Sequence, residues 1–175
     1  MTLMRTVGLL VLLLALAGPA VSGRLEAASR RAPDFVGGGP WFNTNGRALT
    51  IADLRGKVVA VEMWTAGCIN CRNVMPDLKK WHAKYFDRGL VIVGVHAPEF
   101  NYERSEPYVR TSIAKLGIRY AVVMDNDFRI WRAYNNTYWP SLYLVDKKGI
   151  IRYQHFGEGA YDETDRVIRQ LLEEN

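Results

Sequence analysis

Apolar positions along the chain follow two periods. Val58 to Trp64 is an almost unbroken apolar run, and so are Leu90 to Val95 and Tyr120 to Met124, which predicts three strands buried on both faces. Between the first two, Val74, Leu78, Trp81 and Tyr85 recur at helical spacing and predict a helix stopped near Asp87-Arg88-Gly89. Strand, helix, strand implies a right-handed parallel crossover. A second helix carries its own punctuation: Ser105 as cap, Pro107 in the first turn, Val109, Ile113 and Leu116 as the stripe, Gly117 as the stop. Asn126 to Tyr134 predicts a short helix, and Ser141 to Asp146 with Ile150 to Phe156 an antiparallel pair joined through Lys147-Lys148-Gly149. Tyr161 to Glu173 is a final helix whose first turn is acidic, as the helix dipole favours. Ahead of all these, Trp41-Phe42, Asn45-Gly46 and Ala48-Leu49-Thr50 read as an N-terminal β-hairpin, because Asn-Gly supplies the positive φ a tight turn needs. The pattern as a whole is α/β, a mixed central sheet flanked by helices on both faces.

The first residues break this pattern. Arg5, an apolar core from Val7 to Ala17 and small residues around Ala20-Val21-Ser22 have the form of a secretory signal, assigned to residues 1–22. Residues 23–33 have no apolar period and read as a linker, leaving 34–175 as one domain large enough for its own core. The expected location is secreted or periplasmic, with an uncleaved N-terminal anchor as the alternative. Across the chain 23 basic residues face 18 acidic ones without clustering, a balance that speaks for solubility and against nucleic-acid binding. A monomer is expected.

Candidate chemistry concentrates in one place. Cys68 and Cys71 are the only cysteines, and they follow the first strand and open the first helix. At a helix N-terminus, unpaired backbone N–H groups favour a thiolate, the species that attacks disulfides, and Cys71 lies one turn inward on the same side. A zinc ribbon needs a second cysteine pair, and haem attachment needs His where this chain has Arg72. A purely structural bridge would enclose almost no loop and stabilise little. Glu62 stands inside an otherwise apolar strand, where an unpaired charge is costly; burial would raise its pKa into the range of a general base for Cys71.

With these residues placed, the chain from about Pro33 onward resembles the thioredoxin fold, and within it the TlpA/DipZ-type periplasmic thiol-disulfide oxidoreductases. Cys68 and Cys71 match the nucleophilic and resolving cysteines of that family, Trp64 the tryptophan four residues before the first, Pro76 the helix-kinking proline and Glu62 the buried acid. Pro140 matches the proline that follows a cis bond, here with Trp139, and faces the active site. The helix and strand from about Ser105 to Met124 match the TlpA-type central insertion. Two departures stand out: Gly67 replaces a common tryptophan, and Ile69-Asn70 replaces Gly-Pro between the cysteines. Ile69-Asn70, with His96-Ala97-Pro98-Glu99-Phe100 and Phe156-Gly157-Glu158-Gly159, looks closest to DipZ-like carboxy-terminal domains.

The resemblance implies a dithiol enzyme that needs no cofactor or metal and exchanges disulfides with partner proteins, running as a reductase fed by a membrane redox protein. Catalysis is expected of Cys68, Cys71, Glu62 and Pro140, and a substrate groove of Trp64, Ile69, Asn70 and Trp139, with Tyr138 as a further apolar contact. Arg72 and Lys57 are candidates for stabilising a thiolate by charge, and His96 with Glu99 for a place at the carboxyl end of a strand, where sites gather in open sheets. His82 is expected on the surface and His155 in a structural role. The alternative function is a copper-binding or copper-delivery module of the same fold, in which both thiols and a histidine hold Cu(I).

Overall fold

A computed structural model of the protein describes residues 30–174. The expected signal and most of the linker lie outside the described residues. One six-stranded sheet runs through the domain in the order β1 (Trp41–Phe42), β4 (Ala121–Met124), β3 (Leu90–His96), β2 (Val58–Trp64), β5 (Ser141–Val145), β6 (Ile151–Phe156). The three central strands β2, β3 and β4 are parallel, while β5, β6 and β1 are antiparallel to their neighbours. Helices α1 (Ile69–Tyr85), α2 (Glu106–Leu116), α3 (Arg129–Ala133) and α4 (Tyr161–Glu173) connect or follow them.

Strand alternation divides the core in two. Val58, Ala60 and Trp64 face Leu78, Trp81 and Tyr85 of α1, Val109 and Ile113 of α2, and Ile168 and Leu171 of α4. Val59, Val61 and Met63 face the other way, onto Ile130 and Trp131 of α3 and onto Phe35, Ile51 and Leu54. Every β2 residue is buried, so this strand has no solvent face, and each large apolar side chain contributes roughly 1.5–3 kcal/mol by leaving water. Glu62 lies on the α1 side by the same alternation. Gly94 makes room there: a Cβ on it would come within 3.0 Å of Trp64 Nε1 and 3.3 Å of the Tyr120 ring.

Three local expectations change. No N-terminal β-hairpin forms. The Asn45-Gly46 turn is real, with φ of 55° and 75°, but Trp41 and Phe42 pair with Val123 and Val122 of β4 and residues 48–50 are not a strand. An isolated two-stranded ribbon is marginal in water, whereas adding Phe42 to the edge of an existing sheet buries it. α3 is shorter than residues 126–134 because Asp125 folds over its start, Oδ1 accepting from the N–H groups of Arg129 and Ile130 and Oδ2 from that of Trp131. Finally, Arg30 to Ala32 run along the β5–β6 turn, Ile151 N donating to Arg30 O and Ala32 N to Gly149 O.

Candidate active site

The chain leaves β2 through Thr65-Ala66-Gly67 and enters α1 at Cys68, which occupies the N-cap position with its Sγ accepting from Cys71 N at 3.4 Å. Both cysteines are free thiols, and they approach to 3.1 Å. Cys68 is half-buried, Cys71 wholly buried, so an incoming molecule reaches Cys68 first. Burial pushes the Cys71 thiol far above its ordinary range, helped by its contact with Cys68 and by the charge of Glu62. Ile69 and Asn70 stand out on the surface beside the pair, Ile69 64% exposed.

Behind the dithiol, the Glu62 carboxyl is 1% exposed. Tyr120 Oη donates to its Oε2 at 3.1 Å, while Oε1 has no partner. Desolvation raises its pKa to about 8, the Tyr120 bond offsetting only part of that. Glu62 also lines a narrow cleft with Val74, Pro140, Leu142, His155 and Tyr161. The Glu62 charge acts on the Cys71 thiol, which makes the carboxyl a candidate acceptor for that thiol's proton.

The Trp139-Pro140 bond is cis, as the resemblance implied; Gly39-Pro40, which nothing in the sequence pointed to, is cis as well. Pairing of Ser141 with Met63 puts Pro140 level with the end of β2, at the motif end of the sheet. Trp139 is half-buried, its Nε1 donating to Ala97 O at 3.1 Å and its ring 4.2 Å from that of Trp131. Tyr138 is exposed. Trp64 is fully buried edge-on to His96, so it packs under the motif and offers no groove surface.

The charged candidates sort by position. Lys57 precedes β2 at the opposite end of the strand from Cys68, roughly 20 Å away at the rise of an extended chain, too far to act on the thiol. Arg72 folds back, its Nε donating to Ala66 O at 3.0 Å. His96 is wholly buried beneath the approach to Cys68, its Nε2 3.3 Å from Ala66 N and 3.4 Å from Thr65 Oγ1. Burial holds it to about 4, hence neutral. Glu99 is exposed and contributes only its backbone N–H. His82 is half-buried against Phe86 and Tyr120, covered by rings that the helical spacing alone does not reveal. His155 lines the Glu62 cleft.

Two residues escaped the sequence reading. Tyr120 is the partner of Glu62; the signal was available, since a buried carboxylate requires a donor and a tyrosine stands at the mouth of the third apolar run. Glu103 is wholly buried in the 3-10 turn Asn101–Arg104. Its Oε1 accepts from Gly67 N at 2.6 Å, and its Oε2 from Glu99 N at 2.8 Å and Phe100 N at 2.9 Å. Burial pushes its pKa up, but these bonds and one from the Thr65 hydroxyl outweigh it and leave the carboxylate below its usual range. In the sequence it is one charge among several in a polar stretch. It also explains the departure at Gly67, where a Cβ would come within 2.7 Å of Glu103 Oε1 and 2.9 Å of Tyr102 Oη.

Sheet order, crossover and the dithiol at the first turn of α1 make this a thioredoxin-fold protein. The chain belongs to the AhpC/TSA family, whose pattern it matches over residues 28–154. Protein DipZ of Mycobacterium tuberculosis (strain CDC 1551 / Oshkosh) is 42% identical over 142 residues, 81% of this chain but 20% of that protein. The chain therefore spans about a fifth of that relative's length. Thiol-disulfide oxidoreductase YkuV of Bacillus subtilis (strain 168) is 26% identical over 143 residues, covering 81% of this chain and 94% of YkuV. A solved thiol-disulfide isomerase from Corynebacterium glutamicum superposes with a TM-score of 0.71 at 27% identity, over 82% of this chain and 98% of its own. For the copper alternative, no group of three or more His, Cys, Asp or Glu side chains among the described residues is placed to hold a metal ion.

Proposed function

We propose that the protein is an extracytoplasmic thiol-disulfide oxidoreductase that reduces disulfides in partner proteins. The observation that carries this is the division between the two thiols: Cys68 within reach of solvent, Cys71 buried against it and beside a carboxyl that titrates near neutrality. Cys68 thiolate attacks one sulfur of the partner disulfide; that S–S bond breaks, a mixed disulfide forms, and the other partner sulfur leaves as thiolate. Ionised Glu62 takes the proton from Cys71, whose thiolate attacks Cys68 Sγ. The mixed disulfide breaks, the second partner thiol is released, and Cys68 and Cys71 are left bridged. Two electrons pass to the partner.

The reductive direction follows the resemblance to the TlpA/DipZ-type oxidoreductases, carried by Cys68, Cys71, Glu62 and Pro140. Returning the bridge to the dithiol calls for an electron donor, for which a membrane redox protein is the proposed source. The apolar stretch Val7 to Ala17 behind Arg5 supports the extracytoplasmic location. Glu62→Gln tests the proton step. In single-turnover reactions with a disulfide peptide the first attack stays within about twofold, while release of the mixed disulfide slows on the order of 100-fold, the usual worth of a positioned base. Unchanged release removes Glu62 from the mechanism.

A further inference from the structure

The turn from Glu99 to Arg104 lies against the segment that leads into Cys68, and the exchange chemistry gives it no role. Glu103 fixes it there, joining three backbone N–H groups from two segments, Gly67 on one side and Glu99 and Phe100 on the other. A buried carboxylate with three such donors is costly to displace, so the turn is anchored. What it displays outward is aromatic. Phe100 and Tyr102 stack with ring centroids 5.7 Å apart and planes within 4° of parallel, and Tyr108 of α2 braces Tyr102 edge-on at 5.2 Å. Even so, Phe100 is 49% and Tyr102 54% exposed. Tyr102 Oη reaches over Gly67, the residue before Cys68. Exposed Ile69 follows Cys68 in the chain.

Apolar side chains exposed together beside a reactive sulfur mark an interaction surface. Resting on the oxidoreductase reading above, any partner that gives up its disulfide must bring a cystine to Cys68, and the residues flanking that cystine then pass over Tyr102 and Phe100. We infer that Phe100 and Tyr102, held by Glu103, are specificity-determining residues that select partner segments with an aromatic or large aliphatic side chain next to the cystine. Glu103 acts through them as a positioning residue.

The test uses the reduced full-length protein and two cystine peptides, alike except for Phe or Ser beside the cystine, with kcat/KM measured for each. Wild type favours the Phe peptide about tenfold, and Phe100→Ser/Tyr102→Ser brings the ratio close to one. Glu103→Gln puts an amide N–H₂ where a carboxylate oxygen accepted; the ratio falls, and amide exchange quickens at Gly67, Glu99 and Phe100. Should Glu103→Gln fold poorly, the double variant, confined to exposed side chains, decides alone. Equal rates for both peptides with wild type, or a preference that survives in the double variant, overturns the inference and leaves the oxidoreductase reading standing. Failure of wild type to exchange with either peptide overturns both.

Discussion

Glu62 is the residue on which energetics and chemistry meet. Its ordinary pKa is 4.5 and its folded value about 8. Below pH 4.5 the carboxyl is neutral folded or unfolded and costs nothing. Between 4.5 and 8 the unfolded chain ionises while the folded one stays protonated, so stability is lost as pH rises through this window, by a few kcal/mol once the folded pKa is passed. Glu62→Gln should abolish that slope and be more stable than wild type at pH 9 by about that amount, read from urea midpoints at pH 4 and pH 9. Equal pH dependence in the two proteins would place Glu62 in water. His96 runs in the opposite sense. With a folded value near 4 against an ordinary 6.5, its contribution is intact above pH 6.5 and lost as pH falls through 4. At this scale the sequence announced Glu62, because a charge in a buried strand has few innocent readings. It was silent on Glu103, because a glutamate in a polar turn has the same composition whether it points to solvent or to three backbone N–H groups.

Among the elements, those whose partners are close in sequence, or whose period is strong, were legible. β2, α2 with its Gly117 stop, the β5–β6 hairpin and α4 all sit where spacing put them. The misreadings lie where a contact that the period does not encode, from a distant strand or from a neighbouring side chain, decides the local structure. The Asn45-Gly46 turn exists, yet Trp41–Phe42 joins β4 across the fold; α3 begins late because a side chain from the preceding turn caps it. The join between the 3-10 turn Asn101–Arg104 and the start of α1 belongs to the same class and is testable there. Gly67→Ala would drive a Cβ into Glu103 Oε1 and Tyr102 Oη, and overpacking of this kind costs about 1–3 kcal/mol. The denaturation midpoint should drop accordingly, with Tyr102→Phe in the same chain recovering part of the loss. A neutral Gly67→Ala would mean that the two elements are not in contact.

At the scale of the domain, the parallel strands β2 and β3 end at Trp64 and His96, and the candidate site gathers at that end: the dithiol, the cis bond before Pro140, neutral His96 and the aromatic turn. The opposite end, where Lys57 and Gly89 sit, carries turns and the Arg152 ion pairs with Asp146 and Glu174. This polarity follows from the crossover rule and from the place of a Cys pair after the first strand, so the location of the site is readable in the sequence. Its inner wiring is not, because Tyr120 reaches Glu62 across 58 positions of sequence. The central claim is that Cys68 attacks and Cys71 resolves. Intact-mass analysis of Cys71→Ser and Cys68→Ser, each reduced and mixed with a disulfide peptide, tests it most directly. The account predicts that Cys71→Ser accumulates one peptide in mixed disulfide at Cys68 within minutes, while Cys68→Ser, its remaining thiol buried, stays unmodified. An adduct forming on Cys71 of Cys68→Ser at a comparable rate would contradict it.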